Sequence, residues 1–160
     1  MTLHCNIQRM VLIVDDIEEN RLLLERSLQS AGYRTLSAGD GAGALSILSK
    51  ARPDIVLLDW MMPGLSGLDT LIAIRENHTA SRLPVIMCTA VGEDEHIVEA
   101  MQAGANDYVT KPVSLPVLRA RMATHLSQSE TVNSLDNQMA EGKKRMAQQV
   151  RRLMETKVGR

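Results

Sequence analysis

Five side chains in this sequence suit phosphate and divalent-cation chemistry, and each closes a short apolar run. Asp15 and Asp16 follow Val11-Leu-Ile-Val14, and Asp59 ends Ile55-Val-Leu-Leu58. Thr89 follows Val85-Ile-Met-Cys88, and Lys111 follows Tyr108-Val-Thr110. Short unbroken apolar runs mark strands buried on both faces of a parallel sheet. In such a sheet the carboxyl ends of the strands share one crevice, and ligands bind there where the strand order reverses. Three carboxylates gathered in that crevice repel one another and raise one pKa, which an oxygen-liganded Mg²⁺ relieves. A carboxylate beside such a cation can also act as a nucleophile and form an aspartyl phosphate. An ammonium and a hydroxyl suit the oxygens of the transferred group. Taken singly, these residues have plainer uses: one of the two adjacent aspartates as a helix cap, a threonine or lysine as a structural or solvated group. Their coincidence at successive strand ends is what points to a site.

The elements that must position them alternate along the chain. Strands are expected at Met10 to Val14, Tyr33 to Ala38, Asp54 to Asp59, from Pro84 onward, and at Asn106 to Thr110. Between them, apolar residues recur at helical spacing: Ile17, Leu24, Leu28 and Ala31; Ala44, Leu45, Leu48 and Ala51; Leu68, Leu71 and Ile72; Ile97, Ala100 and Met101. Gly32, Pro53 and Gly104 end three of these helices, and Pro116 opens a last one. Five β-α units with right-handed crossovers predict an α/β three-layer sandwich, a (βα)5 flavodoxin-like fold with parallel strand order 2-1-3-4-5.

Size and composition exclude several classes. A chain of 160 residues that is 44% hydrophobic and 23% charged can bury a core without staples. A net charge of −1 argues against a dedicated nucleic-acid binder. No apolar run approaches the length of a membrane span, and Met1 to Arg9 lacks a signal-peptide core. Two cysteines, Cys5 and Cys88, are too few for a disulfide framework and fit a reducing, cytoplasmic setting.

Residues 10–127 resemble the receiver domain of bacterial two-component response regulators. The resemblance rests on Val14-Asp-Asp16, Leu57-Leu-Asp-Trp-Met-Met-Pro-Gly64, Thr89-Ala90, Gly104-Ala-Asn-Asp-Tyr108 and Lys111-Pro112. It implies that Asp59 accepts a phosphoryl group from a histidine kinase or histidine phosphotransfer protein. It implies Mg²⁺ held by Asp16, Asp59 and the Met61 backbone carbonyl, with Asp15 in the acidic pocket. Thr89 with Ala90, Lys111 and Tyr108 would bind phosphate and carry the switch, and the Lys111-Pro112 peptide would be cis. Such a domain signals rather than catalyses, beyond assisting its own phosphorylation and dephosphorylation. Met61 and Val91 are apolar at two flanking positions where polar side chains can orient hydrolytic water.

Other readings of the same residues fare less well. An Asp-nucleophile, Mg²⁺-dependent phosphatase needs a second acid two residues after the nucleophile, and neither Asp59-Trp-Met61 nor Asp15-Asp-Ile17 supplies one. A flavodoxin-like nucleotide binder needs a glycine-rich first loop, and Asp15 to Asn20 is acidic instead. By analogy, Val117 to Leu126 resembles receivers that precede nucleotide-cyclase or kinase modules, so a regulatory fragment of such a protein is an alternative.

The chain changes character near Leu126. Residues 127–160 hold seven Lys/Arg and four Asp/Glu, whereas residues 1–126 hold the other 11 and 15. Val132, Met139, Met146 and Leu153 recur every seven residues, but the companion positions are Leu135, Gly142, Gln149 and Thr156. That is half a heptad seam. The expected organisation is an N-terminal arm (1–9), the receiver (10–127) and a helical or coiled-coil extension (128–160). A weak homodimer through the extension is expected, with no nucleic-acid or membrane contact.

Overall fold

The computed structural model describes residues 8–157. Cys5 and most of the expected N-terminal arm, residues 1–7, lie outside them, as do residues 158–160. Five parallel strands, β1 (Met10–Val14), β2 (Arg34–Ala38), β3 (Ile55–Asp59), β4 (Val85–Ala90) and β5 (Asp107–Lys111), pair in the order 2-1-3-4-5. The helices are α1 (Glu18–Ser30), α2 (Gly41–Lys50), α3 (Gly67–Asn77), α4 (Asp94–Gln102) and α5 (Leu115–Lys157). This is the expected fold, including the extended last helix.

Alternation along each strand divides the interior into two cores. Leu12, Val14, Val56, Leu58, Val85 and Met87 face Ala44 of α2, Leu71 and Ile74 of α3, and Ala100 of α4. Val11, Ile13, Ile55, Leu57, Ile86 and Cys88 face Leu24 and Leu28 of α1 and Leu118, Met122 and Leu126 of α5. β1, β3 and β4 are thus covered on both faces, which explains their unbroken apolar runs. With no phenylalanine in the chain, these cores are built almost wholly from aliphatic side chains.

Three residues expected to face inward do not. Ile17 is exposed, because the chain is still in loop there, one residue before α1 begins. Ile72 is exposed because the inward face of α3 is set by Thr70, Leu71 and Ile74. Met101 lies one step round the helix from Ala100, the only buried residue of α4. Strand starts also shift by a residue: β2 begins at Arg34, β3 at Ile55 and β5 at Asp107.

α5 is one helix of 43 residues that crosses position 127 without interruption. Its first third packs on the sheet. Ser129 is buried and Arg82 pairs with Asp136, so contact with the body continues for about three more turns. From Asn137 to Thr156 every residue is exposed, including Met139, Met146, Val150, Leu153 and Met154.

One clasp holds the elements on the α3 side together. The Arg75 guanidinium on α3 donates to the carbonyls of Gly104 (2.8 Å), His78 (3.0 Å) and Leu83 (3.0 Å), and to Asn106 Oδ1 (2.9 Å). Asn106 Oδ1 also accepts from the Val85 N–H at 3.0 Å, and Asn106 Nδ2 donates to the Ala80 carbonyl at 2.8 Å. Burial pushes the guanidinium pKa down to about 10. Truncating Arg75 strands several acceptors at once. We expect Arg75→Ala to lower the unfolding free energy in urea by about 3 kcal/mol, and Arg75→Lys to recover part of it. An unchanged midpoint for the alanine variant would show that the clasp is dispensable.

Candidate phosphoryl and metal site

The sheet register brings the chemistry-bearing residues to one edge. Val14 stands opposite both Ala38 and Leu58, Asp59 opposite Cys88, and Ala90 opposite Lys111. Asp15 and Asp16 therefore emerge beside Asp59, with Thr89 and Lys111 on the next two strands. Carboxylate oxygens of Asp15, Asp16 and Asp59 all lie within 4.8 Å of one another. Asp15 and Asp59 are buried, whereas Asp16 is exposed. Neither of the first two aspartates caps α1 through its side chain, since the N-cap is Ile17. Asp15 Oδ1 instead accepts from the Ile17 N–H at 2.9 Å, a local turn that fixes the loop.

Lys111 closes the site from β5. Its Nζ lies 2.9 Å from Asp59 Oδ1 and 3.3 Å from Asp15 Oδ2. Thr89 is buried and its hydroxyl has no hydrogen-bond partner among the described residues, an uncommon state for a buried polar atom. Tyr108 is half-buried, with the Arg121 guanidinium 5.6 Å over its ring. The Lys111-Pro112 peptide is cis. Met61 and Val91 stand exposed.

Three features were not legible in the sequence pattern. Asn20 Nδ2 donates to Asp15 Oδ2 at 3.3 Å, and Arg21 Nη1 donates to the Asp15 carbonyl at 2.5 Å, so the first turn of α1 braces the double aspartate. Gly67, the first residue of α3, donates to the Trp60 carbonyl at 3.0 Å. A Cβ there would lie 2.1 Å from the Asp59 carbonyl oxygen, so only glycine lets α3 start this close to the loop after β3. Trp60 is buried and stacks on His96 of α4.

Electrostatics in the site are opposed. Burial pushes the Asp59 carboxyl above its ordinary range; the hydrogen bond and charge of Lys111 pull it back only in part, and the charge of Asp15 adds to the rise. For Lys111, burial works to lower the pKa, but the hydrogen bond and charge of Asp59 and the charge of Asp15 outweigh it, leaving the ammonium above its usual value. A single ammonium is therefore too little for these carboxylates. The oxygen-only donor set and its unneutralised charge fit a small hard cation such as Mg²⁺. Nearby, burial pushes the Cys88 thiol up to about 12, which leaves it unreactive.

Comparisons with known proteins bear on the family and the fold. The model of the response regulator receiver domain family matches residues 11–123. The chemotaxis protein CheY of Pseudomonas aeruginosa is 40% identical over 113 residues, covering 70% of this chain and 91% of that protein. The phosphate regulon transcriptional regulatory protein PhoB of the same organism is 36% identical over 116 residues, covering 72% of this chain. The chain spans about half of PhoB's length, 51%. Among solved structures, the receiver domain of NtrX from Brucella abortus superposes with a TM-score of 0.69 at 33% identity, covering 73% of this chain and 98% of that one.

The raised Asp59 pKa makes a stability prediction. A carboxyl whose folded pKa exceeds its ordinary 3.8 binds protons more tightly folded than unfolded. Stability from this group is then full below pH 3.8 and falls as pH climbs through the folded value. In the absence of divalent cations, Asp59→Asn is expected to melt at a higher temperature than the parent at pH 7.5, with the gap closing as the pH is lowered toward 4. An asparagine variant that melts no higher at pH 7.5 would contradict this assignment of the strain.

Proposed function

The chain belongs to the response regulator receiver domain family, and from that premise we propose that it takes a phosphoryl group onto Asp59 and changes conformation to control an output. The observation that carries the reading is the juxtaposition of a buried, strained Asp59 carboxylate with the Lys111 ammonium and the unpartnered Thr89 hydroxyl. The donor is a histidine kinase or a histidine phosphotransfer protein. Its phosphorus–nitrogen bond breaks as an Asp59 carboxylate oxygen bonds to phosphorus, and the imidazole leaves. Lys111 then pairs with a phosphoryl oxygen in place of Asp59, and the Thr89 hydroxyl donates a hydrogen bond to another. Tyr108, which stands opposite Met87 of β4, takes part in the switch that follows. Mg²⁺, held by Asp16, Asp59 and the Met61 carbonyl with Asp15 alongside, would supply charge neutralisation and orient the phosphoryl group.

This assigns a signalling rather than a metabolic role, because no second acid stands where a phosphatase would need it. A cytoplasmic location goes with it, in keeping with the buried, unpaired Cys88. Among the described residues no helix is long and apolar enough to cross a membrane. Incubation with Mg²⁺ and a small phosphodonor such as acetyl phosphate should place one acid-labile phosphoryl group per chain, and Asp59→Asn should lose it entirely. Labelling of that variant at the parent level, with no neighbouring acid found modified by peptide mapping, would refute the acceptor.

The same reading divides the molecule into a receiver, residues 10–127, and an extension from residue 128, helical as far as Lys157, which carries the signal outward. The exposed stripe of Met139, Met146 and Leu153 supports a weak dimer of two copies, because apolar side chains on a helix face that packs on nothing gain by burial against a second copy. Gly142, Gln149 and Thr156 at the companion positions keep it weak. Sedimentation of the full chain should show a larger dimer fraction with a phosphoryl mimic than without, and Met139→Glu with Met146→Glu should abolish the difference. A monomer in every state at high concentration would sink the dimer.

A further inference from the structure

We infer that His96 is a positioning residue for the acceptor site: through its stack on Trp60 it holds α4 and the loop carrying Thr89 in the unphosphorylated arrangement. This rests on the reading of Asp59 as acceptor. Trp60 directly follows Asp59, and its backbone is pinned on both sides, the N–H donating to the Cys88 carbonyl and the carbonyl accepting from the Gly67 N–H, each at 3.0 Å. Its indole is buried in the core, so it too is held. The His96 ring lies 4.5 Å from the Trp60 ring, centroid to centroid, at an interplanar angle of 22°. His96 Nδ1 is 2.5 Å from a carboxylate oxygen of Glu93, the residue just before α4. Only Ala90, Val91 and Gly92 separate Thr89 from Glu93, and Gly92 adopts φ +88°.

These contacts close a ring of constraints. Thr89 and Asp59 lie at neighbouring strand ends, the short loop ties Thr89 to Glu93, Glu93 holds His96, and His96 rests on Trp60. In this arrangement Lys111 bonds Asp59, and the Thr89 hydroxyl has no partner among the described residues. A phosphoryl group that accepts the Thr89 hydroxyl draws that end of the loop toward Asp59. The loop is too short to take up the movement alone, so Glu93 and His96 shift with it and the stack opens. A contact present in only one of two states biases the equilibrium toward that state.

An aromatic pair of this kind accounts for about a two- to tenfold bias. We therefore expect His96→Ala to bind beryllofluoride in the presence of Mg²⁺ about two- to tenfold more tightly than the parent. His96→Phe, which keeps the stack but loses the Glu93 bond, should fall between the alanine variant and the parent. Trp60 is the only tryptophan, so its emission reports the stack directly. Emission of unliganded His96→Ala should differ from the parent, and the change that beryllofluoride produces in the parent should be largely missing. His96 is partly exposed at the surface, so the variant should fold, which circular dichroism checks. Parent-like or weaker beryllofluoride affinity in His96→Ala, with emission showing the stack lost, would overturn the positioning role while leaving the acceptor standing. Unchanged emission in unliganded His96→Ala would overturn the stack itself. A parent that binds no beryllofluoride and takes no phosphate would overturn both readings together.

Discussion

Asp15, Asp16 and Asp59 place three carboxylates within contact distance, and the chain supplies one ammonium, Lys111, to hold them. That imbalance shapes the neighbourhood. Asn20 and Arg21 are turned back onto Asp15, Gly67 gives α3 its close approach to the Asp59 carbonyl, and β5 ends at the lysine. Desolvation costs the charged form of Asp59 more than Lys111 returns, so the site stands ready to gain from a cation or from a group that spreads the charge. The strain is tolerable because it sits on a sheet whose central strands are buried on both faces.

Much of this was legible in the sequence because a parallel sheet writes its function at strand ends. The unbroken runs ending at Val14, Asp59 and Thr89 gave the strands, and turn residues such as Gly32, Pro53 and Gly104 gave the punctuation between them. Once the strand order is 2-1-3-4-5, the meeting of Asp15, Asp59 and Lys111 follows from register alone. The single helix from Leu115 to Lys157 was also readable, from its wealth of strong helix formers, with Pro116 only in its first turn and Gly142 the one glycine within it.

What was not legible depends on contacts between residues far apart in the chain. Periodicity assigned Ile17, Ile72 and Met101 to the interior, but a short helix leaves the phase of its buried face to whatever it docks against. Arg75 reads as an ordinary surface arginine until three carbonyls and an asparagine from different loops converge on it. The Trp60–His96 stack joins positions 36 apart (96 − 60) and has no local signature at all.

The unbroken α5 has a mechanical consequence. Asp136 still pairs with Arg82 of the body, whereas Lys157 lies 21 residues further along the same helix, about 31 Å away at 1.5 Å per residue. A rod of that length is a lever with one arm clamped on the body and the other free of it. Tilting the clamped end by about 5° sweeps the far end through about 3 Å, roughly half the pitch of one helical turn. Rearrangements too small to matter inside the domain are thus magnified into a displacement on the scale of a side chain, with no hinge along the way to absorb it.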